Sequence, residues 1–131
     1  MIQNKQAVPV SIDSPDAVAR QQMNFGDTSG YGDFSGEYFT LAAGTDITPL
    51  LEGLEDDHCQ CPHWGYVIEG RLTTRYSDGR EEVTQTGDLF HWPPGHTVSA
   101  NDDSAFVMFS PQEEHAAVLD HILEKMGGQE P

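Results

Sequence analysis

From His63 to Ser110 the chain is a series of short apolar or β-branched runs separated by turn residues, and that spacing points to an antiparallel β architecture. The run HWGYVIEGRLTTRY meets REEVTQ across Ser77-Asp78-Gly79, whose glycine supplies a positive φ, so a hairpin is expected there. Gly87-Asp88 leads into LFHW, and Pro93-Pro94-Gly95 then interrupts the ladder. Thr97-Val98-Ser99 and AFVMFS follow on either side of Asn101-Asp102-Asp103. Short strands at this spacing close into a sandwich or barrel, so the fold class is all-β.

Upstream, Glu37-Tyr38-Phe39-Thr40-Leu41 reads as a strand after a stretch punctuated by Gly26, Gly30, Gly32 and Gly36, and the barrel is expected to begin near it. Residues 1–34 are polar and mixed. They hold a short strand at Val8 to Ile12 and a helix start at Ser14-Pro15-Asp16, where serine caps and proline takes the first helical position. Downstream, Ser110-Pro111-Gln112-Glu113 has the form of a capping box, and Ala117, Val118, His121, Ile122 and Met126 recur at helical spacing before Gly127-Gly128. The expected layout is an arm over 1–34 packing on the barrel, the barrel over 35–110, and a closing helix and tail over 111–131. With 131 residues and no linker-like tract, all three share one domain.

Charge narrows the partners. Twenty-two acidic residues against six basic ones give a formal net charge of −16, a surface that repels phosphate backbones and anionic membranes. The opening MIQNKQAVPVSIDSPD lacks a signal-peptide core and no stretch reaches the ~20 apolar residues of a membrane span, so a cytoplasmic protein is expected. Neither a G-x-S-x-G elbow nor a phosphate-binding glycine loop occurs, and no catalytic residue is assigned.

Both cysteines lie in one CxC, where a bridge would close a tiny, strained ring, so free thiols or metal ligands are expected. In an extended strand, Cys59, Cys61 and His63 would project from one face and converge three metal-competent groups. Two thiolates and imidazole suit zinc, and His96, aimed by Pro93-Pro94-Gly95, is the preferred fourth donor. The same residues also fit two buried small hydrophobes and a hydrogen-bonded core histidine. His58 would turn inward only at a bulge, and His91 either lines a pocket or covers the outer sheet face. His115 and His121, six apart on the helix, are given surface or packing roles. The acidic run Glu52 to Asp57 lacks calcium-loop spacing and reads as a solvated loop.

His63-Trp64-Gly65-Tyr66-Val67-Ile68-Glu69-Gly70 resembles the first cupin motif and Gly87-Asp88-Leu89-Phe90-His91-Trp92-Pro93-Pro94-Gly95 the second, a likeness covering roughly residues 37–110. More closely, CxCPHWGYV and PPGH resemble a subfamily of small cupin-domain proteins. The resemblance implies a double-stranded β-helix, or jelly roll, with one divalent transition metal per chain. Here the usual glutamate position, seven before Gly70, is His63, and the usual third histidine position, three after Gly95, is Val98. Cys59 falls at a histidine position, Cys61 adds a donor and His96 shares the strand parity of Val98, so a substituted site is expected. Soft ligands favour zinc over iron, manganese or nickel.

Three functions compete: a metal-dependent enzyme with an open position, acting on a small molecule; a non-catalytic cupin whose four donors close a structural or sensing site; and a metal-free interaction barrel. The resemblance also implies a homodimer, for which outward residues such as Tyr66 and Ile68 offer an apolar surface.

Overall fold

In a computed structural model, which describes residues 1–26 and 30–127, nine strands form two antiparallel sheets closed at one end by a helix. The strands are β1 (Val10–Asp13), β2 (Ala17–Gln22), β3 (Phe34–Leu41), β4 (His63–Glu69), β5 (Arg71–Tyr76), β6 (Glu81–Gln85), β7 (Leu89–Trp92), β8 (His96–Ala100) and β9 (Ser104–Pro111), followed by α1 (Gln112–Lys125). The larger sheet runs β1-β2-β3-β9-β4-β7 and the smaller β6-β5-β8. This is the expected all-β jelly roll with its short C-terminal helix.

The run from His63 to Tyr76, read as continuous, breaks into two strands belonging to different sheets. Gly70 makes the break with φ +99°, and a Cβ there would meet Asp103 O at 2.5 Å, so only glycine lets the chain cross so close to the β8–β9 turn. Nine buried residues, among them Val67, Leu72, Trp92, Val98 and Phe106, fill the space between the sheets. A second cluster of Ile12, Ala19, Leu51, Cys59, Cys61, Val118, Leu119 and Ile122 lies under α1. Burying the three helix side chains is worth roughly 1.5–3 kcal/mol each, which pins the helix over the barrel end.

Three local expectations are corrected. Ser14-Pro15-Asp16 starts no helix: Ser14 Oγ accepts from Ala17 N at 3.1 Å in a hairpin turn, and β2 pairs with β3 along its length. Residues expected to form an arm on the barrel therefore supply β1 and β2, the two strands at one side of the larger sheet. Nor does Ser110 cap the helix, because it is the penultimate residue of β9 and its hydroxyl is drawn to a carboxylate inside the barrel. Of the expected helix stripe Val118 and Ile122 are buried, but Ala117 and Met126 are exposed and His121 half-buried, and Gln112, His115 and Leu119 complete the buried face. Gly128 of the expected helix stop lies outside the described residues.

Candidate metal centre

Where the two sheets meet beneath α1, the turn Pro93-Pro94-Gly95 delivers His96 at the first position of β8. Gly95, at φ +93°, turns the chain so that Gly95 N and His96 N both donate to Cys59 O, at 2.8 and 3.2 Å, while Cys59 N donates to His96 O at 2.8 Å. That isolated bridge holds Cys59 beside His96. His63, opening β4 opposite Trp92, comes from the other sheet. The ligand atoms of Cys59, His63 and His96 all lie within 4.8 Å of one another, each residue buried.

Hydrogen bonding fixes both imidazoles. His96 Nδ1 is 2.7 Å from Pro93 O, which can only accept, so Nδ1 carries the proton and Nε2 keeps its lone pair. His63 Nδ1 is 2.7 Å from Ser110 Oγ, whose own proton goes to Glu37 Oε1 at 3.0 Å. His63 is therefore also the Nδ1–H tautomer, with Nε2 facing Cys59 Sγ at 3.7 Å. Two free Nε2 atoms and a thiol are a donor set that fits a divalent transition metal, and anchored Nδ1–H groups are the usual second partners of such histidines. Burial keeps both rings neutral: His96 is lowered to about 4, and His63 is held well below its usual value by burial and then by the neighbouring His115 and His96 rings. Burial likewise pushes the Cys59 thiol up to about 11.

Glu37 is the buried anchor behind His63. The carboxylate is 2% exposed and accepts from Ser110 through Oε1 and from Ser35 (2.7 Å), Gln21 (3.2 Å) and His115 (2.7 Å) through Oε2. So full a set of donors is what allows a carboxylate to sit in the interior. His115, given only a surface or packing role above, is buried, and with Glu37 and His63 it makes a second cluster within 4.8 Å. Glu37 had a legible signal: it shares strand parity with Phe39 and Leu41, which put a carboxylate on the inward face of β3.

Cys61 departs from the expectation. Residues 59–62 do not form a strand, so alternation does not apply to them, and Cys61 Sγ faces Pro62 O (3.5 Å) and Pro111 O (3.8 Å), outside both clusters. His58 is turned to Asp56 O through Nδ1 at 2.5 Å, and His91 stacks on Trp64 outside the barrel with ring centroids 5.0 Å apart. Neither joins Cys59, His63 and His96, and His91 takes the outer-face role of its two readings.

The three side chains stand at the wall of a cavity of about 570 Å³ that runs between the sheets and under α1. The model of the Cupin domain family matches residues 37–117, more than half of the chain. The chain belongs to the cupin family. Among solved structures, this cupin is similar to an RmlC-like cupin from Shewanella frigidimarina (16% identity, TM-score 0.57, 87% of this chain and 93% of that one). It is also similar to the ectoine synthase of P. lautus (19%, 0.54, 76% and 67%) and to the oxalate decarboxylase of Lactobacillus farciminis (20%, 0.57, 86%), of which it spans 34%. At such identities these likenesses speak to fold alone. No curated protein matches the sequence. Among the described residues no helix is long and apolar enough to cross a membrane.

Proposed function

We propose that this cupin holds one divalent transition-metal ion, zinc by preference, through Cys59, His63 and His96, and uses it to bind and activate a small molecule in the barrel cavity. The observation that carries this reading is the paired tautomer: both histidines commit Nδ1–H to oxygen acceptors and leave Nε2 free beside a thiol. One thiolate and two imidazoles suit zinc, and three protein donors leave a position open toward the cavity. An ion bound there would supply Lewis-acid polarisation of a donor atom on the small molecule.

The protein groups have separate tasks. Pro93 O and Ser110 Oγ orient the two rings, Glu37 orients Ser110, and largely apolar cavity walls surround them. A closed, purely structural site is less well supported, since Cys61 lies outside the group and His115 is already engaged with Glu37. The reading places the protein in the cytoplasm, where thiols stay reduced. It also pairs two copies as a homodimer across the exposed face bearing Trp64, Tyr66, Ile68 and Phe109.

Cobalt substitution tests the proposal. An absorption spectrum with a single thiolate-to-cobalt charge-transfer contribution and visible bands that shift on adding azide would support an open three-donor site. Two thiolate contributions and bands indifferent to azide would mean a closed one.

A further inference from the structure

The cavity wall carries a chemical selection of its own. Apart from the candidate ligands, His115, the Trp92 indole and a polar edge of Ser14, Asp16, Thr45 and Asp46, the surface is hydrocarbon, as at Phe39, Leu41, Ile47, Phe106, Leu119 and Ile122, and among the described residues neither lysine nor arginine lines it. Its volume falls within the ~300–1,000 Å³ that holds a drug-sized ligand.

A buried anion needs donors, and among the described side chains of the lining none is both free and exposed to the cavity. His63, His96 and His115 have spent Nδ1–H on Ser110, Pro93 and Glu37. Thr45 Oγ1 is used on Asp16 O and Ser14 Oγ on Ala17 O. Trp92 Nε1, near the floor, is sealed from solvent and reaches no partner. At the exposed rim stand two carboxylates, Asp16 and Asp46, on a molecule of net charge −16. A carboxylate or phosphate ester would thus meet repulsion at the mouth and an uncompensated desolvation inside.

We propose that the ligand is a predominantly hydrocarbon molecule without negative charge, carrying a single donor atom, such as a hydroxyl or carbonyl oxygen, at the end that reaches Cys59, His63 and His96. The inference rests on the metal reading for the destination of the donor atom, but the selection against negative charge belongs to the walls and holds without metal.

The test is calorimetric titration of 1-octanol, octanoate and octylammonium at pH 7.5 into the metal-stripped full chain and the zinc-loaded chain. In the metal-stripped protein, 1-octanol should bind at least about tenfold more tightly than octanoate, whose charge meets an uncompensated desolvation cost, and octylammonium, drawn by the rim carboxylates, should also bind more tightly than octanoate. Zinc should tighten 1-octanol further. Leu50→Trp, which plugs a half-exposed part of the lining, should abolish octanol binding with the fold retained by circular dichroism.

Octanoate binding as tightly as octanol or octylammonium to the metal-stripped protein would overturn the proposal, as would failure of all three to bind. Octanol binding unchanged in folded Leu50→Trp would overturn its location. Octanol preference persisting in a protein that takes up no zinc would sink the metal reading and leave this one standing.

Discussion

Ser110 Oγ stands 2.7 Å from His63 Nδ1 and donates its own hydrogen bond to Glu37 Oε1, so a hydroxyl at the end of β9 decides which nitrogen of His63 is free. Replacing Ser110 with alanine leaves that ring N–H unpaired and takes one donor from Glu37. Zinc affinity of Ser110→Ala should fall by about 10–100-fold, the usual cost of losing such an orienting partner. Competition against a chelator of known affinity measures it, and an unchanged constant would remove Ser110 from the site.

The two cysteines should separate cleanly. Cys59→Ala is expected to lose stoichiometric zinc, whereas Cys61→Ala keeps about one zinc per chain and loses on the order of 1–2 kcal/mol of stability through packing. Elemental analysis beside urea unfolding distinguishes them. Zinc lost equally in both variants would restore Cys61 as a ligand.

Glu37→Gln turns an acceptor-only group into one that presents N–H to the donors of Ser110, Ser35, Gln21 and His115. The metal-free protein should lose on the order of 3 kcal/mol in urea unfolding, in the range seen when a buried hydrogen-bonded charge is removed. A change below about 0.5 kcal/mol, the ordinary scale of a surface substitution, would show that the network contributes little.

Stability of the metal-free protein should fall on both sides of neutrality. His96, lowered to about 4, is neutral in the fold while an unfolded histidine protonates below about 6.5, so its contribution is present above 6.5 and is lost as pH falls toward 4. His63 adds to the same acid loss. Cys59, raised to about 11, stays protonated in the fold while an unfolded thiol ionises near 9, so its contribution is present below 9 and is lost as pH rises toward 11. Zinc binding must release that thiol proton, and its apparent affinity should rise about tenfold per pH unit from pH 6 to 9. A flat pH profile of zinc affinity would mean that no thiolate is bound.

On the outer face, Ile68→Glu should convert a dimer to a monomer in light scattering without altering zinc content, since Ile68 is exposed and points away from the cavity. A wild-type protein already monomeric at micromolar concentration would refute the pairing.

The strands that carry the centre were legible because their periodicity and turn residues are local properties: Gly87-Asp88, Pro93-Pro94-Gly95 and the parity of LFHW and AFVMFS suffice to draw β7 to β9. The candidate cluster was legible only in part. His63 and His96 meet because β4 and β8, in different sheets, converge at one end of the barrel, which no local pattern states. Cys61 misled because alternation was applied to residues that a turn and an isolated bridge, not a strand, hold in place. Ser110 misled for the converse reason: its capping-box pattern is genuine, but its hydroxyl accepts from His63 Nδ1 and donates to Glu37 Oε1 inside the barrel, and Pro111 stands at the helix N-cap. His115 was set aside on its distance from His121, although its spacing to Val118, Leu119 and Ile122 is that of one buried helical face.

X-ray absorption at the zinc edge of the reconstituted protein tests the central claim most directly. One sulfur at about 2.3 Å with two imidazole nitrogens at about 2.0 Å and a lighter, exchangeable fourth scatterer is the predicted shell. Two sulfur scatterers, or none, would contradict the assignment to Cys59, His63 and His96.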